Sequence, residues 1–131
     1  MSNKNILILD DNPINNSKYI IPVKEKYHVD VTFRMSSATR MLKSRVYDIV
    51  VIDIMMPTQG LRNNDEMTAG FNYYQEVVSQ LGLNCKILFW SRLTESCYDN
   101  TLYPNNGNFD FVHKSEYQNH LLEKIETMLG V

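Results

Sequence analysis

Short runs of hydrophobic residues recur along the chain, and several of them end abruptly in a polar residue. The runs at Asn5 to Leu9, Asp48 to Ile52 and Cys85 to Trp90 show continuous rather than alternating hydrophobicity. Such runs are typical of strands that are buried on both faces of a parallel sheet. Val29 to Phe33 and Phe109 to Val112 are rich in β-branched and aromatic residues. They predict two further strands, which makes five in all.

Apolar residues at helical spacings separate the predicted strands. A first helix is predicted after Pro13. Pro22 is expected to kink this helix or to end it near Ile21, because proline lacks the N–H group that a helix interior uses. A second helix follows, with Ser36 or Ser37 as its predicted N-cap. Each helix connects two of the predicted strands.

The second half of the chain continues the same alternation. Residues 57–70 are polar and aperiodic, so they predict a long loop. A third helix is predicted from Phe71 to Leu81, with Gly82 ending it. A short fourth helix is predicted over residues 94–102, and Ser115 is the predicted cap of the fifth and last helix.

Strands that alternate with helices predict an α/β domain, since each right-handed crossover places the next strand parallel to the previous one. For a small doubly wound sheet we expect five parallel strands in the order 2-1-3-4-5, the flavodoxin-like arrangement. The length of 131 residues predicts one domain that spans residues 1–131. Ligands of such sheets bind beyond the carboxyl ends of the strands, between the first and third strands.

Composition removes several classes of function. Hydrophobic residues make up 44% and charged residues 21% of the chain, as in globular proteins. A formal charge of -2 provides no basic field for nonspecific binding to nucleic acid or to a membrane surface. Because no apolar run is long enough to span a bilayer and no signal segment opens the chain, we expect a cytoplasmic location. Cys85 and Cys97 lie too far apart for a CxxC motif, so neither a disulfide framework nor a zinc site is predicted.

Polar residues stand at or just after the ends of four of the predicted strands. Asp10 and Asp11 follow the first strand, and Asp53 follows the third. Ser91 and Lys114 follow the fourth and fifth. Three carboxylates in one cleft repel one another unless a cation intervenes, and oxygen ligands favour Mg²⁺, or alternatively Mn²⁺, over zinc. An aspartate beside a metal and a lysine is also a competent nucleophile toward phosphorus.

Four segments together resemble the receiver domain of two-component response regulators, the CheY-like family. They occur in the family's order and span nearly the whole chain. They are LILDDN (Leu7 to Asn12), VVIDIMMP (Val50 to Pro57), ILFWS (Ile87 to Ser91) and GNFDFVHK (Gly107 to Lys114).

The resemblance implies a role for each residue at the carboxyl edge. Asp53 corresponds to the phosphoacceptor. Asp11 and Asp53 correspond to direct Mg²⁺ ligands, together with the backbone carbonyl of Met55, whereas Asp10 acts mainly through metal-bound water. By the same resemblance, the hydroxyl of Ser91 and the ammonium of Lys114 engage the phosphoryl group.

The chain also departs from the family's pattern. Phe111 stands at the family's aromatic switch position, but as phenylalanine it has no ring hydroxyl. Ser115 replaces the proline that usually follows the lysine, so we expect a trans bond there unless the bond is unusually held, and the placement of Lys114 is the least determined part of the site. Arg92 stands where a small residue is usual, and we expect it to alter dephosphorylation. If Gly70 is the counterpart of the family's glycine, the loop after Asp53 carries an insertion, and Thr58 to Ala69 are a partner contact, a flap over the metal, or a tolerated surface extension.

The resemblance implies a phosphorelay switch in signal transduction. A sensor histidine kinase or a histidine phosphotransfer protein would phosphorylate Asp53, and the surface of the predicted fourth and fifth helices would then contact a downstream protein or a second copy of the chain. Such a phosphoprotein catalyses its own phosphorylation and dephosphorylation and is not a conventional enzyme. Two alternatives stay open: a pseudo-receiver that is never phosphorylated, and a Mg²⁺-dependent phosphohydrolase. A stand-alone receiver and a domain of a larger protein are both compatible with the sequence.

Overall fold

The computed structural model describes residues 3–92, 107–115 and 117–131. Its centre is a sheet of five parallel strands in the order β2-β1-β3-β4-β5. The predicted fold class and strand order are therefore confirmed. The strands are β1 (Asn5–Leu9), β2 (His28–Thr32), β3 (Ile49–Asp53), β4 (Lys86–Ser91) and β5 (Phe109–His113).

Four α-helices cover the sheet in the part of the chain that is described. They are α1 (Ser17–Lys24), α2 (Met35–Ser44), α3 (Ala69–Glu76) and α4 (His120–Leu129). Short 3-10 turns at Glu66–Thr68 and Val78–Leu81 flank α3. The helix predicted over residues 94–102 lies outside the described residues. None of the described helices combines the length and the apolar character needed to cross a bilayer.

The strands divide their side chains between two apolar clusters. Val50 and Ile52 of β3 belong to the cluster beneath α2 and α3, whereas Ile49 and Val51 belong to the cluster beneath α1 and α4. All five residues of β3 are buried, as the unbroken hydrophobic run predicts. This central strand ends in Asp53, so the fold places a carboxylate at the middle of the sheet's carboxyl edge.

Helix α1 differs from its predicted form at Pro22. The helix does not end near Ile21 but continues through the proline to Lys24. Tyr19, Ile20 and Val23 are buried against the sheet and α4, so tertiary packing offsets the hydrogen bond that proline removes.

The structure does not have the two predicted helix caps. Helix α2 begins at Met35, and its N–H donates to Oε1 of Gln59 at 2.8 Å, so neither Ser36 nor Ser37 is the cap. Helix α4 begins at His120, and the Ser115 hydroxyl contacts Nδ1 of that histidine at 3.3 Å. At α2 a side chain distant along the chain therefore accepts from the first helical N–H, whereas α4 begins five residues after its predicted cap.

Helix α3 is shorter than predicted at its C-terminal end. It ends at Glu76 and is followed by the 3-10 turn Val78–Leu81. Gly82 terminates this turn in the left-handed conformation, with φ of 64°, which glycine adopts without steric cost. The predicted stop is therefore correct, although the helix before it is broken.

Candidate functional site

The carboxyl edge of the sheet brings the predicted polar residues together. Leu9 pairs with Ile52 in the β1–β3 register, so Asp10 and Asp53, the next residues along each strand, are neighbours. Trp90 pairs with Asp53, which places Ser91 at the same edge of β4. Lys114 follows β5 directly. The parallel topology therefore delivers side chains from four strands to one place.

Lys114 holds the two inner carboxylates. Its Nζ lies 3.0 Å from Oδ2 of Asp53 and 3.5 Å from Oδ1 of Asp10. The three side chains are at most 5% exposed. The backbone N–H of Lys114 donates to the carbonyl of Ser91 at 2.7 Å. That bond extends the β4–β5 ladder by one residue and fixes where the lysine side chain begins.

The lysine reaches this position without proline after it. The Lys114–Ser115 bond is trans, because the described chain contains no cis peptide. The ladder bond to Ser91 and the two carboxylates hold both ends of Lys114.

The carboxylates of Asp10, Asp11 and Asp53 form a group with the geometry of a cation site. One oxygen atom from each lies within 4.8 Å of one from each of the others. Asp10 and Asp53 are buried and Asp11 is exposed, so the group faces solvent on one side only. Three carboxylates exceed the single positive charge of Lys114. A hard divalent ion such as Mg²⁺ fits both the oxygen ligands and the charge deficit.

The pKa of Asp53 is shifted both by burial and by the neighbouring acid. Burial is the main cause that raises its pKa, to about 8, and the Asp10 carboxylate raises it further. The ammonium of Lys114 lowers the pKa but does not compensate fully. In the metal-free protein, too little positive charge therefore surrounds the Asp53 carboxylate. A bound cation would supply that charge.

A cavity of about 360 Å³ opens over these groups. Its lining includes Asp11, Asp53 and Lys114, so the nucleophile candidate and its lysine are accessible to a small ligand. The other lining residues are Asn12, Asn15, Asn16, Met55 and Arg92. Met55 therefore lines the same cavity as Asp11 and Asp53.

Sequence reasoning gave no site role to the three asparagines of this lining. Asn16 is 2% exposed, and its Nδ2 donates to Oδ2 of Asp10 at 2.8 Å. The unusual run of asparagines at Asn12, Asn15 and Asn16 was the available signal. It was not sufficient, because an asparagine between a strand and a helix is more often a turn or cap residue.

The sequence matches the response regulator receiver domain family over residues 6–126. The chain belongs to this family. The receiver domain is a phosphoacceptor signalling domain and not a conventional enzyme. A comparison with curated protein sequences gives no match.

Solved receiver structures have the same fold. The response regulator TrrA from Thermotoga maritima, in complex with Mg²⁺-BeF, is 24% identical, with a TM-score of 0.70 over 95% of this chain and 98% of that one. A LuxR-family two-component response regulator from Aurantimonas sp. SI85-9A1 is 23% identical, with a TM-score of 0.75 over 98% of this chain and 86% of that one. TrrA in complex with the histidine kinase ThkA aligns with 25% identity and a TM-score of 0.70, over 96% of this chain and 98% of that one.

The remaining predicted residues of the receiver have defined surroundings. Ser91 is fully buried at the end of β4. Phe111 pairs with Phe89 in the β4–β5 register and is 3% exposed, so its ring occupies the inward position. Arg92 is exposed at the rim of the cavity, and Nε2 of His113 contacts its carbonyl at 2.7 Å.

Gly70 packs directly on the phosphoacceptor segment. Its N–H donates to the carbonyl of Ile54 at 2.8 Å. A Cβ atom at this position would lie 2.3 Å from the backbone oxygen of Asp53, which is closer than any real contact. Glycine is required here by close backbone approach, which supports Gly70 as the counterpart of the family's glycine despite the longer loop.

The 57–70 loop contributes no residue to the described lining of this cavity. The loop is instead anchored by Gln59 at the start of α2, and by the Glu76 carboxylate, which accepts from the N–H groups of Arg62 and Asn63 at 2.7 and 3.1 Å. The loop also ends earlier than predicted, because the Asp65 side chain caps the 3-10 turn before α3. Of the three alternatives for this loop, these contacts do not favour a flap over the metal.

Proposed function

We propose that this receiver is a two-component switch in which Asp53 accepts a phosphoryl group from a histidine kinase or a histidine phosphotransfer protein. The observation that carries the proposal is the Lys114 ammonium, 3.0 Å from the Asp53 carboxylate at the base of an open cavity. A buried group of one lysine and two acids is weak evidence for a structural role, because an apolar set that replaced all three residues would often be at least as stable. The complex of TrrA with a histidine kinase supports the proposed class of partner.

The residues have complementary tasks in the transfer. A carboxylate oxygen of Asp53 attacks phosphorus, and the bond from phosphorus to the donor's imidazole nitrogen breaks, with its electron pair and a proton retained by the imidazole. Lys114 and the Ser91 hydroxyl donate to the phosphoryl oxygens. Asp10, Asp11, Asp53 and the Met55 carbonyl would hold Mg²⁺, which supplies positive charge to the phosphoryl oxygens when it is bound.

Phosphorylation changes the charge at the centre of the edge. The carboxylate with one negative charge becomes a phosphoryl group with roughly two, at a second pKa of about 6. Because Ser91 and Phe111 lie on neighbouring strands, a new bond to the Ser91 hydroxyl would bias the packing of the Phe111 ring. We propose that this change alters contacts with a downstream protein or with a second copy of the chain. The proposed contact surface consists of the helix predicted over residues 94–102 and the predicted fifth helix, which is α4 of the structure.

The test is phosphorylation of the full chain by small donors. Acetyl phosphate and phosphoramidate, whose phosphorus–nitrogen bond resembles that of phosphohistidine, are each supplied with Mg²⁺. Intact mass should increase by one phosphoryl group. The increase should disappear in Asp53→Asn and on chelation of the metal, and it should persist in Asp65→Asn, whose amide can still accept the bond that caps the 3-10 turn.

Two outcomes would overturn the proposal. No mass increase with either donor would favour the pseudo-receiver, an interaction module without phosphoryl chemistry. Continuous release of phosphate from many substrate molecules would favour the phosphohydrolase. Met55 stands where a second carboxylate would serve turnover, so we expect no such release.

A further inference from the structure

Asn16 occupies a buried position between the metal-site candidate and the rim of the cavity. It is 2% exposed and directly precedes α1. Its N–H donates to the carbonyl of Asn12 at 3.2 Å, and its own carbonyl accepts from Tyr19 at 3.0 Å. The backbone of Asn16 is therefore fixed from both sides, and the direction of its side chain is fixed with it.

The side-chain amide of Asn16 has partners of the correct kind on both of its atoms. Nδ2 donates to Oδ2 of Asp10 at 2.8 Å and to the carbonyl of Asn12 at 3.1 Å. Oδ1 faces Nη2 of Arg92 at 3.5 Å, a long contact. Donor atoms thus face acceptors and the acceptor faces a cation, which defines the orientation of the amide.

Asp10 depends on this amide for its geometry. Oδ1 of Asp10 faces Lys114 at 3.5 Å and the N–H of Asn12 at 3.3 Å. Oδ2 receives the shorter bond from Asn16. The two sides of the carboxylate are therefore held by different residues, and removal of the Asn16 bond would free it to rotate away from Asp53.

We propose that Asn16 is a positioning residue that links the metal ligand Asp10 to Arg92. One buried amide would then set both the Mg²⁺ affinity of the acidic group and the placement of the Arg92 guanidinium over the phosphoryl site. The claim about Mg²⁺ affinity depends only on the group formed by Asp10, Asp11 and Asp53. The claim about the lifetime of the phosphoryl group rests on the proposed function. Partners that orient a metal ligand in this way typically change metal affinity about 10- to 100-fold when they are removed.

A purely structural role for Asn16 makes a different prediction. The asparagine side chain makes no capping bond to α1, so its removal does not take a cap from the helix. Asn72 is a matched control: it is also buried, at 8% exposure, and its amide donates to Thr68 at 3.0 Å, outside the cavity. If Asn16 were only structural, Asn16→Ala and Asn72→Ala would lower stability and leave Mg²⁺ affinity unchanged.

The first measurement is Mg²⁺ affinity in the full chain. Trp90 is the single tryptophan, and Nζ of Lys114 lies 4.4 Å from its ring centroid, so its fluorescence reports on charge at the site. We expect Asn16→Ala to raise the Mg²⁺ dissociation constant about 10-fold or more, and Asn72→Ala to change it less than about 2-fold. Asn16→Leu keeps the side-chain volume without the amide and should match Asn16→Ala. It provides the test if the alanine variant does not fold.

The second measurement is the half-life of the phosphorylated protein. We expect Arg92→Ala to change this half-life, because a guanidinium at the rim can bind phosphoryl oxygens. Asn16→Ala should change it in the same direction. In the double variant the change should be smaller than the product of the two single effects, since both substitutions remove one linked unit.

The outcomes separate the inference from the proposed function. Equal Mg²⁺ affinity in wild type, Asn16→Ala and Asn16→Leu would overturn the inference, as would a wild type with no Mg²⁺ response. Independent, multiplicative effects of Asn16→Ala and Arg92→Ala on the half-life would overturn the link to Arg92. A wild type that binds Mg²⁺ but is never phosphorylated would overturn the proposed function alone, while the metal affinities would still decide the role of Asn16.

Discussion

Two aspartates of this receiver lie at similar distances from basic side chains, but their pKa values are shifted in opposite directions. Asp53 lies 3.0 Å from Lys114, and its pKa is raised to about 8. Asp30 lies 2.8 Å from Arg45 and 2.6 Å from the Tyr47 hydroxyl, and its pKa is lowered. The Asp53 side chain is 4% exposed and the Asp30 side chain 38% exposed. A nearby cation therefore does not determine the charge state of a carboxylate without regard to its access to water.

The position of each strand in the sheet explains the contrast. Asp30 lies on β2 at the edge, where solvent and two side-chain donors stabilise its charge. Asp53 ends the central strand, with Asp10 beside it as a second acid. Tyr47, which is buried, bonds to Asp30, and both its burial and that bond raise its own pKa, to about 12. The contact between Tyr47 and Asp30 of the edge strand is therefore locally stabilising. The buried carboxylates of Asp53 and Asp10, in contrast, have too little positive charge around them, and a bound cation can supply it.

The largest expected effect follows from removal of the central cation. Lys114→Met leaves two buried carboxylates without their ammonium, and loss of one partner of a buried pair costs about 3–5 kcal/mol. We expect a decrease of this size in the free energy of unfolding at pH 8 in metal-free buffer. Urea denaturation followed by circular dichroism measures it.

A double variant is the control for that experiment. Asp53→Asn combined with Lys114→Met removes one negative charge with the positive one, so it should recover part of the lost stability. If the double variant were as unstable as Lys114→Met alone, the loss would come from packing and not from unpaired charge.

The pH dependence of stability gives the next largest effect. The folded-state pKa of Asp53, about 8, exceeds the value of about 4 in an unfolded chain, so the folded state binds this proton more tightly. Its contribution to stability is present below about pH 4 and is lost as the pH rises toward about 8. The stability of wild type relative to Asp53→Asn should thus fall by on the order of a few kcal/mol over this range, in the absence of metal.

Mg²⁺ should reverse this trend in wild type but not in Asp53→Asn. The comparison of the two proteins cancels groups that titrate equally in both, Asp30 included. A wild-type-minus-variant difference that does not depend on pH would show that Asp53 is ionised in the folded protein throughout, and the contrast between the two aspartates would fail.

Gly70→Ala tests how closely the central site depends on backbone packing. The new methyl group would lie 2.3 Å from the Asp53 carbonyl oxygen, so the backbone must shift, at a cost of about 1–3 kcal/mol. We expect lower stability and slower phosphorylation by acetyl phosphate. Gly60→Ala is the comparison, because nothing lies within 4 Å of its Cβ and only its φ of 82° opposes the substitution. Normal phosphorylation in Gly70→Ala would contradict the proposed dependence.

The residues at the carboxyl edge of the sheet were more predictable from sequence than the side chains that hold the neighbouring helix start and Asp10 in place. Asp53 and Lys114 follow continuous strands, and parallel topology alone brings such strand ends to one edge. The bond from the first N–H of α2 to Gln59 was not predictable, because Gln59 lies 24 residues from Met35 along the chain. Asn16 was missed for a related reason: its direction depends on where α1 begins, and local propensity did not locate that start.

The smallest expected effect concerns the hydrogen bond between Tyr47 and Asp30 at the edge of the sheet. Tyr47→Phe removes the 2.6 Å bond to Asp30, and a hydrogen bond to a charged group contributes about 1.5–3 kcal/mol, less where the acceptor keeps contact with water. We expect a loss of about 1 kcal/mol at pH 7, measured by urea denaturation. Because the folded-state pKa of Asp30 is lowered, its contribution is present above the unfolded value of about 4 and is lost as the pH falls through the folded-state value. The difference between wild type and Tyr47→Phe should therefore shrink on acidification, and an equal difference at both pH extremes would mean that the hydroxyl stabilises packing and not the Asp30 charge.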